Sequence, residues 1–390
     1  MIKFFLSNSE DLVDPNYNFL TDKHLPDRDR WRDDVYAHQI YDEPICDGIF
    51  LSGVPTSAIS RRVEAAGSVQ AFLHLPPNFP VMGDCGAFGY MKKDAPPYKT
   101  GDVLAIYQRH NYTYGASVDH LVDPKSSPAE RQRRWDITLQ NAQEFISEYC
   151  AGQFTFIPVG VAQGWDPSSY RQAVRKLVKS GYKYVAIGGV TRLHINHLKP
   201  ILEEVSAVLP ANVDLHLLGI ARLSDLPLFR RLGVTSLNGS TPVKQATMGE
   251  YWVPGKKKYE AIRVPLALSG KLCHPEKPEN ETSDSETNHV KLEQTCLSLL
   301  RAYDRDEVSI DQVLKTVLRY NRLKGDTTDR RAKYEQTLQD RPWRSCPCKI
   351  CRDIGIEVII FRGNDRNRRR GFHNTWVFYR QLQTALAADS

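Results

Sequence analysis

The stretch Thr155–Val190, TFIPVGVAQGWDPSSYRQAVRKLVKSGYKYVAIGGV, decides the fold. Its opening residues are apolar and β-branched and predict a strand over Thr155–Gln163. Asp166-Pro167 then starts a helix over Pro167–Lys179, Gly181 stands where a helix C-cap is expected, and Tyr184–Val190 predicts a second strand. Strand, helix, strand is the signature of a βα unit on a parallel sheet.

The pattern repeats in both directions. Upstream, strands are expected at Gly48–Gly53, Gln70–Leu75, Val81–Phe88 and Gly115–Val122; downstream, at Leu215–Ile220 and Ser236–Ser240. Helices are expected over Pro128–Tyr149, Ile195–Val208 and Ser224–Leu232, the last closed by Gly233. Eight strands interleaved with helices predict an α/β fold of the TIM (β/α)8 type. The expected organisation is an N-terminal extension over 1–47, a barrel over 48–268, a polar Pro-, Glu- and Ser-rich insert over 269–289, and a helical, metal-binding basic subdomain over 290–390.

In such barrels chemistry collects at the C-terminal ends of the strands. Polar and glycine-rich residues stand there in this chain: Gly83-Asp84-Cys85-Gly86, Ser117 to Asp123, Gln163-Gly164, Gly188-Gly189, Gly219 to Arg222 and Asn238-Gly239.

Cys346, Cys348 and Cys351 form a C-x-C-x-x-C cluster, and His373 follows 22 positions after the last cysteine. Thiolate and imidazole at this spacing suit a tetrahedral zinc ion, and four protein ligands leave no open position for a substrate water, so a structural Zn2+ is expected. The other cysteines, at 46, 85, 150, 273 and 296, are scattered singly, which argues against a disulfide framework. The chain opens MIKFFLSNSEDLVDP without a basic n-region, and no apolar run reaches the length of a membrane span, so a soluble protein of a reducing cytoplasm is expected.

The net charge of +6 is unevenly placed, because residues 341–380 hold ten Lys or Arg against three acids. Arg362, Arg366, Arg368, Arg369 and Arg370 precede the His373 ligand, and guanidinium forks match phosphate oxygens. This cluster is expected to be a nucleic-acid-binding surface.

Several of these segments together resemble the guanine transglycosylases, zinc-containing TIM barrels that exchange a base in nucleic acid for a 7-deazaguanine. Asp84-Cys85-Gly86-Ala87-Phe88-Gly89 looks like that family's D-S-G-G-F-Q segment, and Phe156–Gly164, Ala186–Val190 and Leu218-Gly219-Ile220 look like three of its strand ends. The ending Phe361-Arg362-Gly363 through His373-Asn374 is more similar to the DNA-modifying DpdA branch, which inserts 7-cyano-7-deazaguanine (preQ0) into DNA, than to the tRNA enzymes. The resemblance implies Asp84 as general acid/base, Asp119 or Asp123 as reader of the purine edge, Gln163 as donor to the purine carbonyl, and Gly188 and Gly189 as backbone against the base. Phe88 or Tyr90 would stack on a flipped base. It further implies DNA as partner, with tRNA as the alternative, and a 7-deazaguanine base as substrate; an accessory protein is a further candidate partner that the sequence leaves open.

One position departs from the pattern. In the family the eighth strand presents a nucleophilic aspartate, and here the position is Asn238. A carboxamide is uncharged and its lone pairs are delocalised, so it is a poor nucleophile. An engineered inactive variant, a natural homologue that uses another carboxylate or has lost catalysis, and deamidation at the Asn238-Gly239 step are the three explanations open on sequence. A non-catalytic nucleic-acid-binding subunit is the corresponding reading outside enzymology.

Overall fold

Eight short strands close into a parallel barrel in the computed structural model, which describes residues 2–8, 11–54, 57–255, 257–267 and 283–388. The strands are β1 (Lys3–Asn8), β2 (Gly48–Leu51), β3 (Val81–Gly83), β4 (Tyr114–Ala116), β5 (Ile157–Ala162), β6 (Tyr184–Ile187), β7 (Asp214–Leu217) and β8 (Ser236–Gly239). Each pairs with the next, and β8 returns to β1 with Asn238 opposite Phe5 and Gly239 opposite Leu6. The α/β barrel is therefore as expected, with one strand relocated. Gln70–Leu75 is not a strand, because Val69–Phe72 is a helical turn whose N-cap Ser68 accepts from the Ala71 N–H at 3.1 Å. The missing strand is β1, inside the stretch 1–47 expected to be an extension, where Phe4 and Phe5 are both buried.

The barrel interior follows strand alternation. Phe5, Phe50, Met82, Ala116, Val159, Val161, Tyr184 and Ala186 form one buried cluster. Edge-to-face aromatic pairs fill it, Phe5 with Tyr114 at 5.7 Å and Tyr114 with Tyr184 at 5.4 Å. On the outside, Tyr107 of the helix Thr100–Arg109 donates its hydroxyl to the carbonyls of Gly83 and Ala116. That approach needs glycine: a Cβ at Gly115 would lie 2.4 Å from the Tyr107 ring.

Two compact units divide the chain. The barrel unit is built on residues 46–241 together with β1; the second unit holds residues 11–45 and 242–381. The barrel expected to run to 268 thus ends near 241, and residues 11–45 belong with the C-terminal subdomain. The second unit contains the antiparallel pair Glu250–Trp252 with Lys258–Glu260, the helices Ser283–Asp304, Ile310–Leu323 and Arg331–Asp340, and the helix Gly363–Ala387 as far as Gln381. Of the expected polar insert, residues 269–282 lie outside the described residues, and 283–288 open the first of these helices. No helix among the described residues is long and apolar enough to cross a membrane.

Candidate active site and metal centre

The barrel brings one polar or glycine position to the carboxyl end of nearly every strand. Ser7 sits on β1, Asp84 follows β3, Asp119 follows β4, Gln163 follows β5, Gly188 and Gly189 follow β6, Gly219 follows β7, and Asn238 lies on β8. Sequence reasoning placed all of these but Ser7.

Asp84 accepts from the backbone N–H groups of Gly53 at 3.1 Å and Gly86 at 3.0 Å. Burial raises its carboxyl above the ordinary range, with hydrogen bonds from Ser52, Gly53 and Gly86 opposing the rise. A carboxyl shifted in that direction holds a proton more readily than a solvated one, the direction that acid/base work requires. Asp119 is buried, and its Oδ2 accepts from Gln163 Nε2 at 2.7 Å. Burial and then the neighbouring Asp84 push its carboxyl up to about 7. Tyr90, also buried, donates its hydroxyl to the Asp119 carbonyl at 2.8 Å and so is framework, whereas the Phe88 ring is exposed.

Asp123 is not part of this arrangement. Its Oδ1 accepts from the Lys125 N–H at 2.9 Å and shapes a turn. The strand expected over Gly115–Val122 ends at Ala116, so both Asp119 and Asp123 lie beyond it and strand alternation does not put them on one face. Gly188 and Gly189 do lie at the site, and their missing side chains make room for Gln163: a Cβ at Gly188 would stand 2.4 Å from Gln163 Nε2, and one at Gly189 2.7 Å from Oε1. That Oε1 is buried and has no hydrogen-bond partner among the described residues. A buried acceptor without a donor is costly, and a ligand N–H would relieve it.

A purine edge presents N–H donors, which a protonated Asp119 cannot accept on both oxygens. A ligand whose N–H donors need both Asp119 oxygens should bind more tightly as pH rises toward about 7, by about tenfold per unit on the acid side, with a proton released on binding. Isothermal titration with guanine in buffers of different ionisation enthalpy measures both, and Asp119→Asn should abolish the proton release.

Asn238 is held by a shell that sequence reasoning did not anticipate. Its Oδ1 accepts from the Gly219 N–H at 2.9 Å and faces His216 Nε2 at 3.0 Å, and its Nδ2 donates to Ser7 Oγ at 2.9 Å. His216 Nδ1 lies 2.7 Å from Ser236 Oγ, which lies 2.5 Å from the Tyr184 hydroxyl. Burial pushes His216 down to about 4, partly opposed by its bond to Asn238. The imidazole also stacks on Phe50, ring centres 6.2 Å apart and planes 8° from parallel. The signal was available as a histidine inside the apolar run of β7.

In the second unit the expected cysteine and histidine donors converge. The Sγ atoms of Cys346, Cys348 and Cys351 lie 3.7, 3.3 and 3.4 Å from His373 Nδ1, and the four donor atoms all lie within 4.8 Å of one another. A tetrahedral cation with arms of about 2.0–2.3 Å has donor edges of about 3.5 Å, so the set fits a metal ion. His373 Nε2 lies 2.7 Å from the Trp252 carbonyl, which only accepts; the proton is therefore on Nε2 and the Nδ1 lone pair faces the thiols. The Tyr251 ring stacks on His373 at 4.0 Å, and its hydroxyl lies 3.1 Å from Cys351 Sγ.

The expected phosphate surface needs correction. Arg362, Arg366, Arg369 and Arg370 are buried, and their forks are spent inside the unit. Arg362 bonds Asp22 at 2.7 Å and Glu293 at 2.6 Å, Arg366 bonds Glu357 at 2.7 Å and Asp22 at 2.5 Å, and Arg369 bonds Asp365 at 3.0 Å. Arg370 donates to the carbonyls of Ala246, Val358 and Ile360. Only Arg368 is partly exposed, and it donates to the Leu12 carbonyl at 3.0 Å. Removing one member of a buried network strands its partner charges. Arg366→Ala should cost the unit about 3–5 kcal/mol, while Arg368→Ala should stay within about 1 kcal/mol; urea denaturation of both variants checks the contrast.

A closed parallel barrel whose carboxyl-end rim gathers the half-buried Asp84 carboxyl, the buried Asp119 carboxyl and the buried Gln163 amide has the architecture of a barrel enzyme. The chain is 38% identical over 414 aligned positions to a DNA-guanine transglycosylase of Salmonella montevideo, the alignment covering 100% of this chain and 98% of the other. It belongs to the guanine transglycosylase family, and with it to the glycosyltransferases. No protein-family model matches the chain.

Proposed function

We propose that the barrel rim exchanges guanine in DNA for 7-cyano-7-deazaguanine at the anomeric carbon. The observation that carries this reading is the Asp119–Gln163 pair, with its unpartnered Gln163 Oε1, at the same rim as Asp84. A guanine-type edge offers both donors and an acceptor, and a pocket built for that pattern rejects adenine by leaving buried groups unpaired. Asp84 would protonate the leaving guanine and take the proton of the incoming base. Gly188 and Gly189 would lie against the base, and the exposed Phe88 ring offers a stacking surface for a flipped nucleotide.

Extrusion of a base from the duplex costs a few kcal/mol. With four of the five C-terminal arginines buried, the cations suited to offset that cost are the exposed Lys92, Lys93, Lys125 and Arg192, on the loops after β3, β4 and β6. Zn2+ is the ion best suited to the Cys346, Cys348, Cys351 and His373 donors, in a structural role.

DNA rather than tRNA is favoured by the likeness to a protein named for DNA. A second reading, a nucleic-acid-binding subunit without turnover, is favoured by the amide at 238. Radiolabelled preQ0 offered with plasmid DNA and with bulk tRNA, to this chain and to Asn238→Asp, separates them. Label in DNA supports the proposal, label in tRNA alone supports the RNA enzyme, and a gel shift without label from either form supports the binding subunit.

A further inference from the structure

Residue 238 has two terminal side-chain atoms, and the surrounding donors treat them differently. The Gly219 backbone N–H can only donate, so the atom facing it at 2.9 Å must be Oδ1, and a flipped amide would set N–H against N–H. Oδ1 also faces His216 Nε2 at 3.0 Å, so that nitrogen must carry the imidazole proton. His216 Nδ1 is then an acceptor, and at 2.7 Å it takes the Ser236 hydroxyl proton. Ser236 Oγ in turn accepts from Tyr184 at 2.5 Å. Every hydrogen in the chain from Tyr184 through Ser236 and His216 to residue 238 runs one way.

We propose that His216 is a positioning residue for the exchange reaction: locked as its Nε2–H tautomer by Tyr184 and Ser236, it and the Gly219 N–H hold one terminal atom of residue 238 and leave the other, on the Ser7 side, as the atom available to a substrate. This rests on the exchange reading above. With Asp at 238, one oxygen receives two N–H donors and is muted, while the other keeps a lone pair beyond any bond from Ser7 and is the attacking oxygen. With the asparagine present here, the same arrangement puts an amide nitrogen in that place.

Two measurements on the full chain test this. Long-range proton–nitrogen correlation spectra of histidine-labelled protein should show His216 neutral and protonated on Nε2 near neutral pH; an Nδ1–H tautomer or an imidazolium there overturns the proposal whatever the activity. In the Asn238→Asp background, His216→Phe fills the same space without a donor, and kcat should fall roughly 10²-fold with the KM for the base little changed. His216→Gln, which restores an N–H, should recover most of that loss. Equal rates for the Phe and Gln variants would make His216 mere packing and overturn the proposal. If Asn238→Asp exchanges no base at all, the exchange reading fails and takes the positioning role with it, while the tautomer still tests the one-way hydrogen-bond chain by itself.

Discussion

Asn238→Asp should raise guanine exchange by roughly 10³-fold or more, because under the proposed exchange reaction it would supply the covalent nucleophile that a carboxamide cannot. The shell needs no rebuilding for the change. His216 and Gly219 already donate to Oδ1, and the Ser7 hydroxyl, which now accepts from Nδ2, need only rotate to donate to a carboxylate oxygen. Three donors and no neighbouring negative charge in direct contact would keep the new carboxylate ionised. Exchange of labelled guanine into DNA by the two forms is the measurement, and equal rates would remove position 238 from the mechanism. The structure also weakens the case for spontaneous deamidation. Asn238 and Gly239 are paired in β8 against Phe5 and Leu6 of β1, and the amide oxygen is held by two donors, so the bent succinimide geometry is disfavoured.

Metal removal should have the second large effect. Structural zinc sites contribute about 10–16 kcal/mol of binding free energy, which is folding free energy for the element they close. Here the donors span the turn of Cys346–Cys351 and the helix Gly363–Ala387, whose His373 ring is fixed by the Trp252 carbonyl and the Tyr251 ring. Stripping the ion with a strong chelator, or Cys348→Ser, should abolish the cooperative unfolding of the second unit and leave the chain with substoichiometric zinc. Elemental analysis together with denaturation followed by circular dichroism reads both. Full stability after complete removal would show that the cluster packs without a cation.

What the sequence disclosed, and what it concealed, follows from the range of the interactions. Strands β5 to β8 and the helices between them were legible because their pattern is local: apolar runs, Asp166-Pro167 at a helix start, Gly181 and Gly233 at helix ends with positive φ. The polar residues at those strand ends were legible for the same reason. β1 was not, since KFFLSN is brief and adjoins an Asp- and Pro-rich stretch, and only closure against β8 identifies it as barrel. Gln70–Leu75 resembled a strand as a short, largely apolar run, but the Ser68 cap and the helical turn prevailed. The arginine cluster was misread because charge is visible in sequence while its partner is not. Asp22, which neutralises Arg362 and Arg366, lies 340 and 344 positions away from them along the chain. The His216 shell was hidden likewise, for its members come from four different strands.

Under the proposed function, the barrel rim performs glycosyl transfer with residue 238 at the attacking position. The most direct measurement is a denaturing gel of the Asn238→Asp chain incubated with DNA in the absence of incoming base. Attack on the anomeric carbon breaks the bond to guanine and joins protein to DNA, so a denaturation-resistant adduct is expected from Asn238→Asp, dispersed by adding preQ0 and absent from the unaltered chain. An adduct of equal yield from both forms, or none from Asn238→Asp under conditions where DNA is bound, would contradict the account.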